Sequence, residues 1–219
     1  MIKAIIFDMD GLLINSEPVW FKAKVNLMKS INLEWTHEDQ TSTMGVPTKF
    51  WIDYIFNKVN GVLSKEEILH GVTDRMKNLY RNGEIELMPG ALDALNIAKQ
   101  KYKVGLATGS YKELMEIILE VNNWEKYFEV ILSSDDLQRG KPFPDIYIEV
   151  MKRLNAEPKE TVILEDSRDG IRSGVSSGAN VIAVPSKEVE VPKEVLNSAA
   201  FVIDSLEDFP DILNKLNSK

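Results

Sequence analysis

The 219-residue sequence contains no cysteine. Disulfides, zinc–thiolate centres and cysteine nucleophiles are therefore excluded. Histidine is nearly absent as well: His37 and His70 are the only two, which argues against a multi-histidine metal centre. A bound metal is expected on oxygen ligands, which favours magnesium over zinc. Excess positive charge is also missing. The net charge of -8 argues against a partner that is nucleic acid or an anionic membrane. It leaves room for a small anionic substrate, because one lysine or a metal can reverse the sign locally. No apolar run approaches a membrane span, and no signal peptide precedes the first apolar segment. The expectation is a cytoplasmic monomer.

What is present is ordinary for a globular chain, with 44% hydrophobic and 27% charged residues. Short apolar runs rich in β-branched residues recur: "KAIIFD" from Lys3, "KVGLAT" from Lys103, "EVILS" from Glu129, "TVILE" from Thr161, "NVIAV" from Asn180 and "AFVI" from Ala200. Each reads as a strand buried on both faces. Helical spacing lies between most of them, as in Leu114, Ile117, Ile118 and Val121, or Ile146, Tyr147, Val150, Met151 and Leu154. The alternation predicts an α/β fold, a doubly wound, Rossmann-like parallel sheet with helices on both sides.

One region breaks the alternation. Pro18 suits the first turn of a helix capped by Ser16. Pro47 can start another helix, with Phe50, Trp51, Tyr54 and Ile55 on one face. Ser64 and Glu67 form a capping box ahead of Ile68, Leu69, Val72 and Met76. The reading is an all-helical cap domain, residues 16–86, inserted into a core of residues 1–15 and 87–219. "LMPGAL" at Leu87 marks the return to the core, and the final "NSK" is expected to fray.

In such sheets ligands bind beyond the carboxyl ends of the strands. Those ends carry Asp8, Thr108-Gly109-Ser110 and Glu165-Asp166, while Lys141 lies in "RGKPFPD" just before a helix. Each piece alone has a plainer reading. Asp8 can be a strand-end turn residue, and Asp10 can cap a turn with Gly11. Thr108 and Gly109 can form an ordinary strand-to-helix turn, with Ser110 and Glu113 boxing the helix start. Lys141 can be a solvated surface lysine. Glu165-Asp166 can be an acidic cap for the helix near Asp169. Together they have the chemistry of phosphoryl transfer. A carboxylate nucleophile at Asp8 meets about 4 kcal/mol of repulsion from one like charge at about 4 Å and an effective dielectric near 20. Positive charge must lie between nucleophile and phosphate, and a magnesium on Glu165 and Asp166, with Lys141, supplies it. Asp10 is placed to protonate a leaving oxygen and then activate water. Thr108, Gly109 and a helix N-terminus suit phosphate oxygens.

"DMDGLL" at Asp8, "ATGS" at Ala107, "GKPFPDIY" at Gly140 and "LEDSRDGIRSGVSSGA" at Leu164 resemble, in order, the four motifs of the haloacid dehalogenase superfamily. The helical insert between the first two resembles its β-phosphoglucomutase and sugar-phosphate phosphatase branch. The resemblance covers nearly the whole chain. It implies that Asp8 is the nucleophile forming an aspartyl-phosphate and that Asp10 is the general acid and base. It implies that Thr108, Gly109 and Lys141 hold the phosphate. It places magnesium on Asp8, the Asp10 carbonyl, Glu165 and Asp166, with Asp166 the more direct. The chain departs from the pattern at Asn15-Ser16-Glu17, where the family often has Asp-Ser/Thr-Glu. It also lacks the arginine that the mutases place near Thr48 or Lys49, and a lysine has no planar fork for a second phosphate. The expectation is a phosphatase acting on a small phosphorylated metabolite, a sugar phosphate in the first instance. The alternatives are a phosphosugar mutase and, further off, a signalling domain phosphorylated on Asp8. Trp20, Gly45 and Lys49 are the cap candidates for reading the substrate, although Trp20 can equally be core between the domains.

Overall fold

The computed structural model describes residues 1–46, 48–186 and 189–217. The chain forms two compact units, Met1–Asn15 with Glu86–Lys219, and Ser16–Ile85.

The inserted unit is helical among its described residues: α1 (Glu17–Ser30), α2 (His37–Ser42), α3 (Thr48–Lys58) and α4 (Lys65–Arg81). Pro18 lies in the first turn of α1; Ser16 stands at the N-cap position, but its side chain makes no cap hydrogen bond, contrary to the expected cap. The capping box before α4 is complete. Ser64 Oγ accepts from the Glu67 N–H at 3.2 Å, and Glu67 Oε2 accepts from the Ser64 N–H at 2.7 Å. The expected start of α3 at Pro47 lies outside the described residues. On α3 only Trp51 and Ile55 are buried, and Phe50 is 65% exposed rather than on the buried face. One residue is about 100° of helix, so Phe50 falls on the flank of the Trp51 stripe. Helices α1 and α3 both pack on α4.

The sequence reading missed one buried charge here. Lys24 on α1 is 2% exposed. Its ammonium lies 5.5, 5.6 and 5.8 Å from the rings of Trp20, Trp35 and Trp51 and donates to Thr43 Oγ1 at 3.0 Å. Burial lowers the ammonium from 10.5 to about 8, against the opposing charge of Glu17. A lowered folded value means that the unfolded chain holds the extra proton between about 8 and 10.5, so stability rises with pH across that window and is lower below it. Lys24→Met is expected to raise stability at pH 7 by about 1–3 kcal/mol, and by much less at pH 10. Thermal melts at both pH values check this. A loss at pH 7 would mean that the three ring faces outweigh the burial of the charge.

The first unit holds β1 (Ala4–Phe7), β2 (Ile14–Asn15), β3 (Glu86–Leu87), β4 (Lys103–Thr108), β5 (Val130–Ser133), β6 (Thr161–Glu165), β7 (Asn180–Ala183) and β8 (Phe201–Val202). Its helices are α5 (Ala91–Lys101), α6 (Lys112–Asn122), α7 (Asp145–Leu154), α8 (Arg168–Ser176), α9 (Lys193–Leu196) and α10 (Phe209–Asn217). Six strands make one parallel sheet in the order β5-β4-β1-β6-β7-β8. The apolar runs fill it from both sides. Ala4 and Ile6 of β1 join a buried cluster with Ile146, Val150, Ile171 and Val195 of α7, α8 and α9. Phe7 packs edge-on against Phe209 of α10, with ring centroids 6.2 Å apart. A Cβ on Gly105 would lie 2.5 Å from Val150, so the glycine lets α7 approach β4. The short β2–β3 ribbon pairs Ile14 with Leu87 and Asn15 with Glu86, and Asn15 Nδ2 donates to Glu86 Oε2 at 3.3 Å. Glu86 thus falls one residue beyond the expected boundary. Asn217, expected to fray, is held by Tyr102 and by the Ile2 N–H. No helix among the described residues is long and apolar enough to cross a membrane.

Candidate active site

The strand order places the switch point at β1. The chain passes from β1 to β4 and β5 on one side, then returns to β6 on the other. The carboxyl ends of β4, β1 and β6 therefore adjoin, which is where a doubly wound sheet binds ligands. Asp8 follows β1, Thr108 ends β4 and Glu165 ends β6.

Lys141 ties these ends together. Its ammonium donates to Asp8 Oδ1 at 2.6 Å, to Glu165 Oε1 at 2.5 Å and to the Ala107 carbonyl at 3.1 Å. All three N–H donors have a partner, and its side chain is only 10% exposed. The solvated reading of this lysine is thereby excluded. Burial alone would lower the ammonium, but the charges of Asp8 and Glu165 outweigh it and hold it above its usual value.

Glu165 is wholly buried. Besides Lys141, its Oε1 accepts from the Tyr147 hydroxyl at 2.5 Å. Its Oε2 accepts from the Asp166 N–H at 3.1 Å, the Ser167 N–H at 3.3 Å and Ser167 Oγ at 3.1 Å. Both oxygens are committed, so Glu165 anchors Lys141. The helix after it takes its own cap from Ser167, whose Oγ accepts from the Gly170 N–H at 3.1 Å. The helical spacing places Tyr147 in the helix core; burial and the charge of Glu165 raise its hydroxyl well above the usual tyrosine value. The available signal was a phenol on the buried face of α7, which needs a partner.

Asp8, Glu165 and Asp166 each bring a carboxylate oxygen within 4.8 Å of the others, all buried. Three carboxylates against one lysine leave surplus negative charge. Burial, with the charges of Glu165 and Asp8, pushes Asp166 well above the carboxylate range. Burial also pushes Asp8 up to about 8, against the pull of Lys141 and with the charge of Glu165 adding to the rise. An all-oxygen donor set with unbalanced negative charge fits a hard divalent cation. Asp166 also meets the chain exit. Gly11 has φ +77°, and a Cβ there would fall 2.1 Å from Asp166 Oδ2, so the sharp turn needs glycine both for its backbone and for its clearance.

Asp10 lies across from β4. Its Oδ2 accepts from Ser110 Oγ at 2.6 Å and from Thr108 Oγ1 at 3.3 Å. Its Oδ1 is buried with no hydrogen-bond partner. The expected Ser110–Glu113 capping box does not form. The N-cap of α6 is Tyr111 and has no side-chain cap bond, because the Ser110 hydroxyl is spent on Asp10. Gly109 is exposed, and a Cβ there would meet nothing within 4 Å. The protein itself does not demand glycine at this place, whereas a phosphoryl group approaching the backbone would. Gly109→Ala is expected to keep or slightly raise stability, by about 0.4–1 kcal/mol, while raising KM for a phosphorylated substrate about tenfold. Melts and steady-state kinetics check this, and an unchanged KM would remove Gly109 from the phosphate site.

The cap candidates are placed within their own unit only. Trp20 is half-buried and stacks edge-on with Trp51 at 5.7 Å. Gly45 is exposed with φ +61°. The Lys49 side chain is 82% exposed and pairs with Asp53 at 2.6 Å.

Known proteins resemble this chain over most of its length. The phosphorylated carbohydrates phosphatase of Thermotoga maritima is 30% identical over 216 residues, 98% of this chain and 99% of its own. Hexitol phosphatase B of Escherichia coli is 31% identical over 193 residues, 86% of each chain. The crystal structure of CbbY from Rhodobacter sphaeroides in complex with phosphate superposes with a TM-score of 0.81 at 26% identity, covering 95% of this chain and 96% of that one. The profile of the haloacid dehalogenase-like hydrolases matches residues 5–184, from inside β1 to just past β7. Motifs, sheet order and relatives agree, and the chain belongs to the haloacid dehalogenase-like hydrolase family.

Proposed function

We propose that the protein is a magnesium-dependent phosphatase that hydrolyses a small phosphorylated carbohydrate through an aspartyl-phosphate on Asp8. The observation that carries this reading is the buried Lys141 bridge, which holds Asp8 beside a cluster of oxygen ligands at the switch point. The names of the phosphatase relatives support the substrate class.

In the first step an Asp8 carboxylate oxygen attacks phosphorus. The bond from phosphorus to the leaving oxygen breaks, and Asp10 gives that oxygen its proton. In the second step a water oxygen attacks the same phosphorus while Asp10 takes a proton from the water. The bond to Asp8 breaks and inorganic phosphate leaves. Lys141 keeps a positive charge beside the nucleophile through both steps. Asp8, Asp166 and the Asp10 carbonyl are proposed to hold the magnesium, with Glu165 behind them, and the ion supplies charge neutralisation for the phosphoryl oxygens. Trp20, Gly45 and Lys49 are proposed to contribute substrate reading. The Lys49–Asp53 pair favours a hydrolase over a mutase, since this lysine already has an anion of its own.

Phosphate release across sugar phosphates, polyol phosphates and nucleotides, with and without magnesium, tests the reading. The expected result is multiple turnovers on at least one sugar or polyol phosphate, abolished by EDTA and restored by magnesium. Conversion of β-glucose 1-phosphate, primed with its bisphosphate, to glucose 6-phosphate with little free phosphate would make the protein a mutase. A single turnover would make it a phospho-acceptor domain.

A further inference from the structure

Asp10 has two carboxylate oxygens in different surroundings. Oδ2 takes two hydroxyl hydrogen bonds, from Ser110 and Thr108, while Oδ1 is buried without a partner. Ser110 is itself fixed at both ends of its backbone. Its N–H donates to Thr108 Oγ1 at 3.0 Å, and its carbonyl accepts from Ser133 Oγ at 2.6 Å at the end of β5. Ser133 is fully buried. A chain of contacts thus runs from β5 through Ser110 to one oxygen of Asp10.

We propose that Ser110 is a positioning residue for the reaction: its hydroxyl pins the Asp10 carboxyl group through Oδ2 and fixes its orientation. This inference rests on the phosphatase reading above. A carboxyl group free to rotate about its side chain would present either oxygen, and most orientations would be unproductive. Ser110 removes that freedom without touching the reacting atoms.

The test is a leaving-group series. Phenyl phosphate releases phenol, whose pKa is about 10 like that of tyrosine, and it depends strongly on an acid. 4-Nitrophenyl phosphate releases a far more acidic phenol and depends on it little. Values of kcat/KM report the first, acid-assisted step. Ser110→Ala is expected to lower kcat/KM for phenyl phosphate about 10- to 30-fold and that for 4-nitrophenyl phosphate less than about 3-fold. Ser110→Thr, which keeps a hydroxyl at the same place, should restore most of the loss. Equal losses on both substrates, a rise in KM common to both, or no loss at all would each overturn the assignment, as would a threonine variant no better than alanine. Asp10→Ala in the same series separates the two levels of the argument. If Asp10→Ala shows no preference for the better leaving group, the acid role of Asp10 fails. If Asp10→Ala shows it and Ser110→Ala does not, only the positioning role of Ser110 fails.

Discussion

Asp8→Asn is expected to fold and to lose phosphate release by about 10⁴-fold or more. The amide keeps the shape of the carboxylate, and its carbonyl oxygen can still accept from Lys141. What it lacks is the nucleophilic oxygen that forms the covalent intermediate. The fold should not suffer, because burial already favours the neutral form of this group and the amide is neutral. The pH dependence of stability gives a second readout. In the metal-free protein folded Asp8 sits at about 8 against an ordinary 3.8. The folded state therefore holds an extra proton between those values, and the contribution of Asp8 to stability falls as pH rises from about 4 to about 8. In Asp8→Asn that contribution disappears and the fall should become shallower, with the share of Asp166 remaining. Denaturant melts at pH 5 and pH 8 in EDTA measure it for both proteins. Residual turnover within tenfold of the unsubstituted enzyme, with magnesium present, would exclude the covalent route.

The parts of this fold that could be read from sequence share a physical property: each is fixed by short-range chemistry. The six core strands are runs too apolar to face water on either side, and "KVGLAT" and "TVILE" coincide with β4 and β6 to the residue. The Ser64–Glu67 box is a local bond pattern, and Gly11 is a local backbone demand. The illegible parts depend on which distant partner a polar group meets. Ser110 has the spacing of a helix cap and spends its hydroxyl on Asp10 instead, a residue 100 positions away. Lys24 sits at helical spacing with Trp20, yet nothing local says that Trp35 and Trp51 will complete a ring around it. Tyr147 was legible as buried, but the Glu165 that takes its hydroxyl was not. The site residues themselves could be gathered because the strand-end rule converts sequence order into proximity. The surroundings of Glu165 and Asp166 could not be read, although the two are neighbours in the chain: one is saturated by hydrogen bonds, and the other lies against the Gly11 turn.

Lys141→Met is expected to damage both stability and activity, a combination that separates it from Asp8→Asn. The methionine fills similar space but removes three donors at once, leaving Asp8 and Glu165 facing each other without a cation. Removing one partner of a buried ion pair commonly costs about 3–5 kcal/mol. Asp8, already pushed up to about 8 with the lysine present, must go higher without it. Parent and variant both hold the Asp8 proton below about 8, and the variant holds it to higher pH, so the Asp8 share of the deficit should widen as pH rises above about 8. Magnesium should recover part of it, because a cation on the same carboxylates offsets the same repulsion. Activity should not recover in parallel. The expected loss of about 10²–10³-fold in kcat reflects a missing positive charge beside the phosphoryl group, which a metal held by the carboxylates would not replace. Melts at pH 6 and 9, with EDTA or magnesium, and turnover at saturating magnesium provide the measurements. A variant as stable as the parent at pH 9 would show that the three strand ends hold their places without the lysine, and that Lys141 serves the reaction alone.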